Sequence, residues 1–379
     1  MNQKFFLTVS LFLASAGAAN AGAAAPVPVS STTYNYYVAT NGDDANPGTA
    51  DLPFQTILRA SKVALPGTTV HVSPGVYTGG FKTTMSGTEA QRIYYVSTVR
   101  WGAKLVPPMS SDTKAGWDNR GNYVDIIGFE IDGSASRNGL KWTHGIYNGG
   151  SFAAIRNNLV HHVALDNPCH GGGGAGIGVD SYYRGIKSDV IGNTVHHIGQ
   201  PGCRFVQGIS ISTSGSARHN VVYNVGGAAI QMWHDASHVV VSNNTVAASM
   251  TGILVGGGDF YHTKGPNDHT AVHNNIVYDN KYGVSELGST GPNNTYRNNL
   301  VFQSSVADWQ LRNGLGHTGT IAQAPLFVRY VKKGVPDLRL RSNSPAIGKG
   351  IEVPGPQPDA TGKLRPKPAP IDLGAYPFR

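Results

Sequence analysis

Residues 154–163 read AIRNNLVHHV, and the same phrase returns as DVIGNTVHHI (189–198), SARHNVVYNV (216–225), VVVSNNTVAA (239–248), TAVHNNIVYD (270–279) and TYRNNLVFQS (295–304). Each copy sets an Asn before a short apolar strand: Asn158, Asn193, Asn220, Asn244, Asn275 and Asn299. The intervals are 35, 27, 24, 31 and 24 residues, which is a unit near 24 carrying loop insertions. A second set of phrases alternates with the first: HGIYNG (144–149), AGIGVD (175–180), QGISIS (207–212), AAIQMW (228–233), TGILVG (251–256) and YGVSEL (282–287).

Short alternating strands, no helical period and turns of Gly and Asn point to strands coiled into a solenoid. Coils stacked about 4.8 Å apart by parallel pairing bring equivalent residues into columns. An Asn amide can bond its own copy above and below, so an inward Asn column is expected. The predicted fold is all-β: a single-stranded right-handed parallel β-helix over residues 34–324 with an N-terminal capping helix.

Around this centre the chain divides simply. Residues 1–21 read as a secretory signal peptide, with Lys4, an apolar run and the small-x-small site Ala19-Asn20-Ala21. That run is too short for a membrane span, and no later segment approaches one. Secretion or release into the periplasm is expected. A Pro/Ser/Thr spacer covers 22–33, a helix is predicted from Phe54 to Ala64, and a Pro-rich tail, 325–379, closes the solenoid or packs on it. The Asp-rich opening loop (Asp43, Asp44, Asp51) reads as solvated turn acids.

Charged residues make up 14% of the chain, Gly 49 of 379 positions, and the formal net charge is +8. This excludes a helical enzyme and a disordered chain, and the basic balance suits an acidic partner. No Lys/Arg cluster with interleaved aromatics is present, so an acidic polysaccharide is expected rather than nucleic acid. Cys169 lies eleven residues after Asn158 and Cys203 ten after Asn193, so the two fall one rung apart and are expected to form a disulfide.

The opener resembles that of extracellular bacterial right-handed β-helix proteins. The residues concerned are Tyr37-Val38-Ala39-Thr40-Asn41-Gly42, Pro53-Phe54, Thr56-Ile57, Pro66-Gly67 and Pro74-Gly75-Val76-Tyr77. The repeats and the ending, SPAIGKG (344–350), PDATGKLRP (358–366) and PIDLGAYPF (370–378), are similar to the same superfamily. It includes polysaccharide lyases akin to pectate lyases and chondroitinase B. The resemblance implies an enzyme cleaving a uronate polymer by β-elimination, with a Lys or Arg base and calcium as a cofactor, and the chain is expected to be a monomer. One fold of this kind hosts several chemistries, so a glycoside hydrolase, a C5-epimerase and a non-catalytic glycan-binding surface protein stand as alternatives.

Long inserts mark the working face: 166–174, 199–205 and 256–269, all flanking the Gly-Ile strands and expected to line one edge. With Ile or Val inward, alternation turns Tyr147, Gly178, Asp180, Ser210, Ser212, Gln231, Trp233, Leu254, Gly256, Ser285 and Leu287 outward. Elimination needs a base, a neutraliser of the uronate carboxylate and a proton for the leaving oxygen. Candidate catalytic residues are Lys264, His234, Arg204 and Tyr183; candidate substrate-binding residues are Trp233, Asp180, Arg184, Tyr261 and His262. For calcium, Asp235 and Asp259 fall on adjacent coils and are the expected ligand pair, whereas Asp180 and Asp259 are too far apart. Glu286 points inward and reads as structural. The pairs His161-His162 and His196-His197 recur at one coil position, also read as structural, with no closed zinc set in view.

Overall fold

The computed structural model describes residues 33–108, 114–135, 141–167, 169, 173–353 and 371–378. The signal segment and most of the spacer lie outside the described residues. Three parallel sheets form the wall of a right-handed β-helix, and each coil gives one strand to each sheet in turn. The first sheet runs from Tyr34–Val38 to Thr295–Arg297, the second from Gly75–Thr78 to Leu300–Phe302, and the third from Phe81–Thr83 to Ala307–Gln310.

The Asn phrase is the corner between the first and second sheets. Asn193 Nδ2 donates to Asn220 Oδ1 at 3.0 Å, Asn220 Nδ2 to Asn244 Oδ1 at 3.0 Å, and Asn244 Nδ2 to Asn275 Oδ1 at 2.9 Å. Each Oδ1 also accepts the backbone N–H of the Asn one coil earlier, and each Nδ2 also reaches a backbone carbonyl. All six ladder Asn side chains are fully buried and fully bonded. The residue before each ladder Asn takes positive φ, as at Asn157, Asn243, Asn274 and Asn298, which turns the chain through the corner.

The interior is a set of apolar columns. In the third sheet the column runs from Trp117 through Ile146, Ile177, Ile209, Ile230 and Ile253 to Val284. A Gly precedes each Ile except Ile230, which follows Ala229, and closeness requires it: a Cβ on Gly208 would meet the Ala229 carbonyl oxygen at 2.5 Å and Val222 Cγ1 at 2.6 Å. The first coil is covered by the helix Ile57–Val63, with Ile57 and Ala60 buried, a helix three residues later in start than the sequence suggests. Phe54 bridges to Val38 instead, and Thr56 caps the helix by accepting the N–H of Arg59 at 3.1 Å. Asp44 is spent on this cap, accepting the N–H groups of Gln55 and Thr56.

The described residues of the tail, 325–353 and 371–378, pack on the outer face of the second sheet. Phe327, Leu338, Leu340, Ala346, Leu373 and Ala375 form a second apolar cluster with Val221, Ala247, Ile276 and Leu300.

The ladder gives a direct test. Asn220→Ala leaves the buried N–H of Asn193, the Val190 carbonyl and a neighbouring amide without partners. Unpaired buried groups cost about 1–3 kcal/mol each, so the variant should unfold at clearly lower denaturant, by about 3 kcal/mol or more. Equilibrium urea unfolding measures the difference.

Candidate active site

Strict register rules the outer face of the third sheet into columns. Tyr147, Gly178, Ser210, Gln231, Leu254 and Ser285 stand in one of them. With Asp180, Ser212, Trp233 and Leu287 they floor a groove of about 790 Å³. Ten of the eleven residues assigned outward by alternation line it, all but Gly256.

The inserts wall this groove on two sides, not one. Strands of a parallel sheet all begin at one edge and end at the other. The inserts at 166–174 and 199–205 precede their strands, and Gly173, Arg204 and Phe205 line the groove there. The insert at 256–269 follows its strand, and Asp259 and Tyr261 line the opposite side. Cys169 and Cys203 are joined as a disulfide across the first wall, with their Cα atoms 5.3 Å apart.

One side chain fastens the second wall. Asp235 accepts the N–H groups of Tyr261, His262 and Thr263 at 3.0–3.2 Å, the Thr263 hydroxyl at 2.9 Å and the Ser181 hydroxyl at 3.0 Å. Burial acts to raise its carboxyl, but these bonds outweigh burial and hold it below the usual carboxylate range. Trp233 fixes the root of the same loop. Its Nε1 donates to Asp259 Oδ2 at 3.3 Å, and a Cβ on Gly256 or Gly258 would meet the ring at 2.5 or 2.8 Å. The run Gly256-Gly257-Gly258 therefore seats the loop against the indole.

His234, at φ 50°, is set by this loop. Its Nδ1 lies 2.8 Å from the Asp259 carbonyl oxygen and its Nε2 2.8 Å from the Tyr261 hydroxyl, with the two rings stacked at 4.1 Å. A carbonyl only accepts, so Nδ1 carries the proton. In the neutral ring Nε2 then accepts from the Tyr261 O–H. Burial, followed by the charges of Asp180, Asp235 and Asp259, pushes the Tyr261 phenol up to about 12. Arg204 lies on the other wall, exposed, and is the one Lys or Arg lining the groove among the described residues.

Several expected placements are corrected. Lys264 follows the last residue that Asp235 anchors; it is exposed and outside the groove lining. His262 is likewise outside, its Nε2 against the Tyr182 carbonyl at 3.2 Å. Tyr183 and Arg184 sit in a separate basic recess of about 350 Å³ with Lys82 and Arg120, where the Arg120 guanidinium covers the Tyr183 ring at 3.6 Å. Asp180 does line the groove, but both its oxygens are engaged, by the Tyr147 hydroxyl and the N–H of Tyr182. The residues do not fit calcium at Asp235 and Asp259: Asp235 has no oxygen to spare, and Asp259 holds Trp233. Glu286 is structural as read, buried and bonded to Asn294, Tyr296 and the N–H of Arg312.

His144 lines the groove and was not singled out from the sequence. Burial pushes its imidazole down to about 4, against the opposing pull of Asp180 and Asp118. Its place one residue before the register Gly, in the column of Gln207, was the available signal.

Two family models match, one described as a Pel9A-like right-handed β-helix region over residues 36–193 and one as a right-handed β-helix region over 144–316. Similar solved structures include the pectate lyase Pel9A, at TM-score 0.55 and 16% identity over 92% of this chain and 97% of that one. A rhamnogalacturonan lyase gives 0.51 and 15% over 82% and 97%. The A-module of the mannuronan C-5 epimerase AlgE4 from Azotobacter vinelandii gives 0.51 and 16% over 69% and 68%. A curated relative, the uncharacterized protein YwoF of Bacillus subtilis (strain 168), is 41% identical over 59 residues, 16% of this chain and 13% of that protein. The chain is a right-handed parallel β-helix protein resembling polysaccharide lyases. No helix among the described residues is long and apolar enough to cross a membrane.

Asp235→Ala should free the wall without unfolding the solenoid. Limited proteolysis should cut within 258–265 in the variant and not in the parent, at nearly equal melting temperatures. Because the folded carboxyl lies below its unfolded value near 3.9, its hold on the loop is full above that pH and is lost as pH falls through the folded value. The parent loop should therefore become cleavable by an acid-stable protease only in that acid range.

Proposed function

We propose that this chain is an exported lyase that cleaves a uronate-containing polysaccharide by β-elimination. The observation that carries the reading is His234, held between the Asp259 carbonyl and the Tyr261 hydroxyl, on the wall facing Arg204. The names of the similar structures, a pectate lyase, a rhamnogalacturonan lyase and a mannuronan C-5 epimerase, support a carbohydrate substrate. The disulfide supports an oxidising compartment.

Each group has one role. Arg204 pairs with the uronate carboxylate and stabilises the charge that develops as the C5–H bond breaks. His234 Nε2, once substrate displaces the Tyr261 hydroxyl, takes the C5 proton. The electron pair left at C5 forms the C4–C5 double bond, and the C4–O bond breaks. Tyr261, with its phenol at about 12, stays protonated at neutral pH and gives its proton to the leaving oxygen. Hydrolysis by two carboxyl groups is less well served. Asp180, Asp259 and Glu286 are the acids lining the groove, and each accepts hydrogen bonds from the protein.

Incubation with a panel of uronate polymers should release unsaturated, ultraviolet-absorbing ends. His234→Ala and Tyr261→Phe should each lower kcat about a hundredfold or more, and Arg204→Ala should raise KM as well. Lys264→Ala should leave turnover near the parent value. New reducing ends without the chromophore would assign hydrolysis instead, inversion at C5 without scission would assign epimerisation, and binding without product a glycan-binding role.

A further inference from the structure

The outer face of the second sheet holds a cluster that the groove chemistry does not use. Asp132, His161 and His162 bring one ligand atom each within 4.8 Å of one another, the one such group of three among the described residues. None of the three lines the groove.

The backbone builds this cluster. Val160 and Val163 both point into the core, and His162 between them takes φ 55°. Positive φ breaks the alternation of the strand, so two successive side chains, His161 and His162, stand outside together. Their Nδ1 atoms are 2.7 Å apart. Asp132 precedes His161 in the same column, one coil earlier, with Oδ1 3.5 Å from His161 Nδ1.

The surroundings orient the ligands. Glu130 Oε1 lies 3.0 Å from His161 Nε2 and accepts its N–H, so His161 Nδ1 is an acceptor that takes the Nδ1–H of His162, the proton a bound metal ion would replace. Lys104 holds Glu130 at 2.8 Å and approaches Asp132 Oδ2 at 3.4 Å, and Ser134 donates its N–H at 2.9 Å and its hydroxyl at 2.5 Å to Asp132 Oδ1, so an ion bound there replaces the rotatable hydroxyl and leaves the backbone bond in place. His196 and His197, one coil on, stack under His161 and His162 at 5.1 and 4.9 Å.

We propose that Asp132, His161 and His162 bind one divalent transition-metal ion, Cu(II) or Ni(II) in preference to Zn(II), at a site separate from the glycan groove. Two nitrogens 2.7 Å apart, each about 2.0–2.1 Å from a metal, subtend roughly 80° at the ion. That is closer to the right angle of a tetragonal site than to the wider tetrahedral angle zinc adopts. The carboxylate supplies a third ligand and water completes the set.

The mature protein, free of any polyhistidine tag and stripped with chelator, is titrated with Cu(II) by calorimetry and electron paramagnetic resonance. One equivalent should bind, with a tetragonal spectrum split by two imidazole nitrogens, and Zn(II) should compete poorly. His162→Gln, Asp132→Asn and His161→Gln should each weaken binding about tenfold or more, while His269→Gln should not. Thermal melts without metal establish that the variants fold; should His161→Gln melt early, the half-exposed His162 carries the test. Undiminished binding in the His162 and Asp132 variants, binding lost only on changing His196 and His197, or no stoichiometric binding would overturn the site. Preference for Zn(II) with tetrahedral geometry would overturn the choice of ion. None of these readouts depends on cleavage of a glycan.

Discussion

From residue 158 to 299 every coil of this protein must match its neighbours residue for residue, and the buried Asn column enforces it. An Asn amide carries both a donor and an acceptor, so each copy can satisfy the one before and the one after while reaching a backbone carbonyl. A coil slipped by one residue would bury those amides unpaired and turn its Ile outward, two penalties of the same sign. Phe129 stands beneath the column; its backbone N–H bonds Asn158 Oδ1 at 2.9 Å, so the first rung is also satisfied. The sheets, the apolar columns and the straight groove floor all inherit their alignment from this corner.

The groove shows a division of labour that follows from that alignment. Residues in register supply a flat, rigid floor that any β-helix of this pattern would have. The groups of the proposed elimination come from elements that break the pattern: His234 at positive φ just past a strand, Tyr261 in an insert and Arg204 in another. Asp235 joins the two by committing its carboxylate to the backbone of the insert. Its charge is spent on positioning, which is why an acid beside a His and a Trp is not available to a cation.

This division also explains what the sequence revealed. The floor was legible because period-two alternation and a Gly fixed by steric closeness leave one register, and Tyr147, Asp180, Gln231 and Trp233 fall where counting puts them. The disulfide was legible for the same reason, since nearly equal offsets on adjacent coils become neighbours. The walls were not. Lys264 looked central because it lies in the long insert, but which insert residues face the sheet depends on Asp235, a contact about 28 residues away that no local pattern announces. Treating all inserts as one edge overlooked that parallel strands have a starting side and a finishing side. The His pairs looked like a ladder and do stack as one. Their convergence on Asp132 came from a left-handed residue that apolar periodicity does not encode.

The doubled Asn of the later coils has a further meaning. The second Asn of each pair belongs to the inner column, but the first faces out. Asn298 donates to the Lys349 carbonyl, Asn274 to that of Ile351 and Asn243 to that of Asp372. Two described pieces of the tail, one at 349–351 and one at Asp372, are thereby laced to three successive coils, up to 129 residues back. A bare solenoid is a nearest-neighbour chain whose end can fray coil by coil. Lacing removes that freedom, because no single laced coil can open without pulling on its companions. The C-terminal third should therefore melt as one cooperative block, with its closing contacts formed late, since long loops are slow to shut.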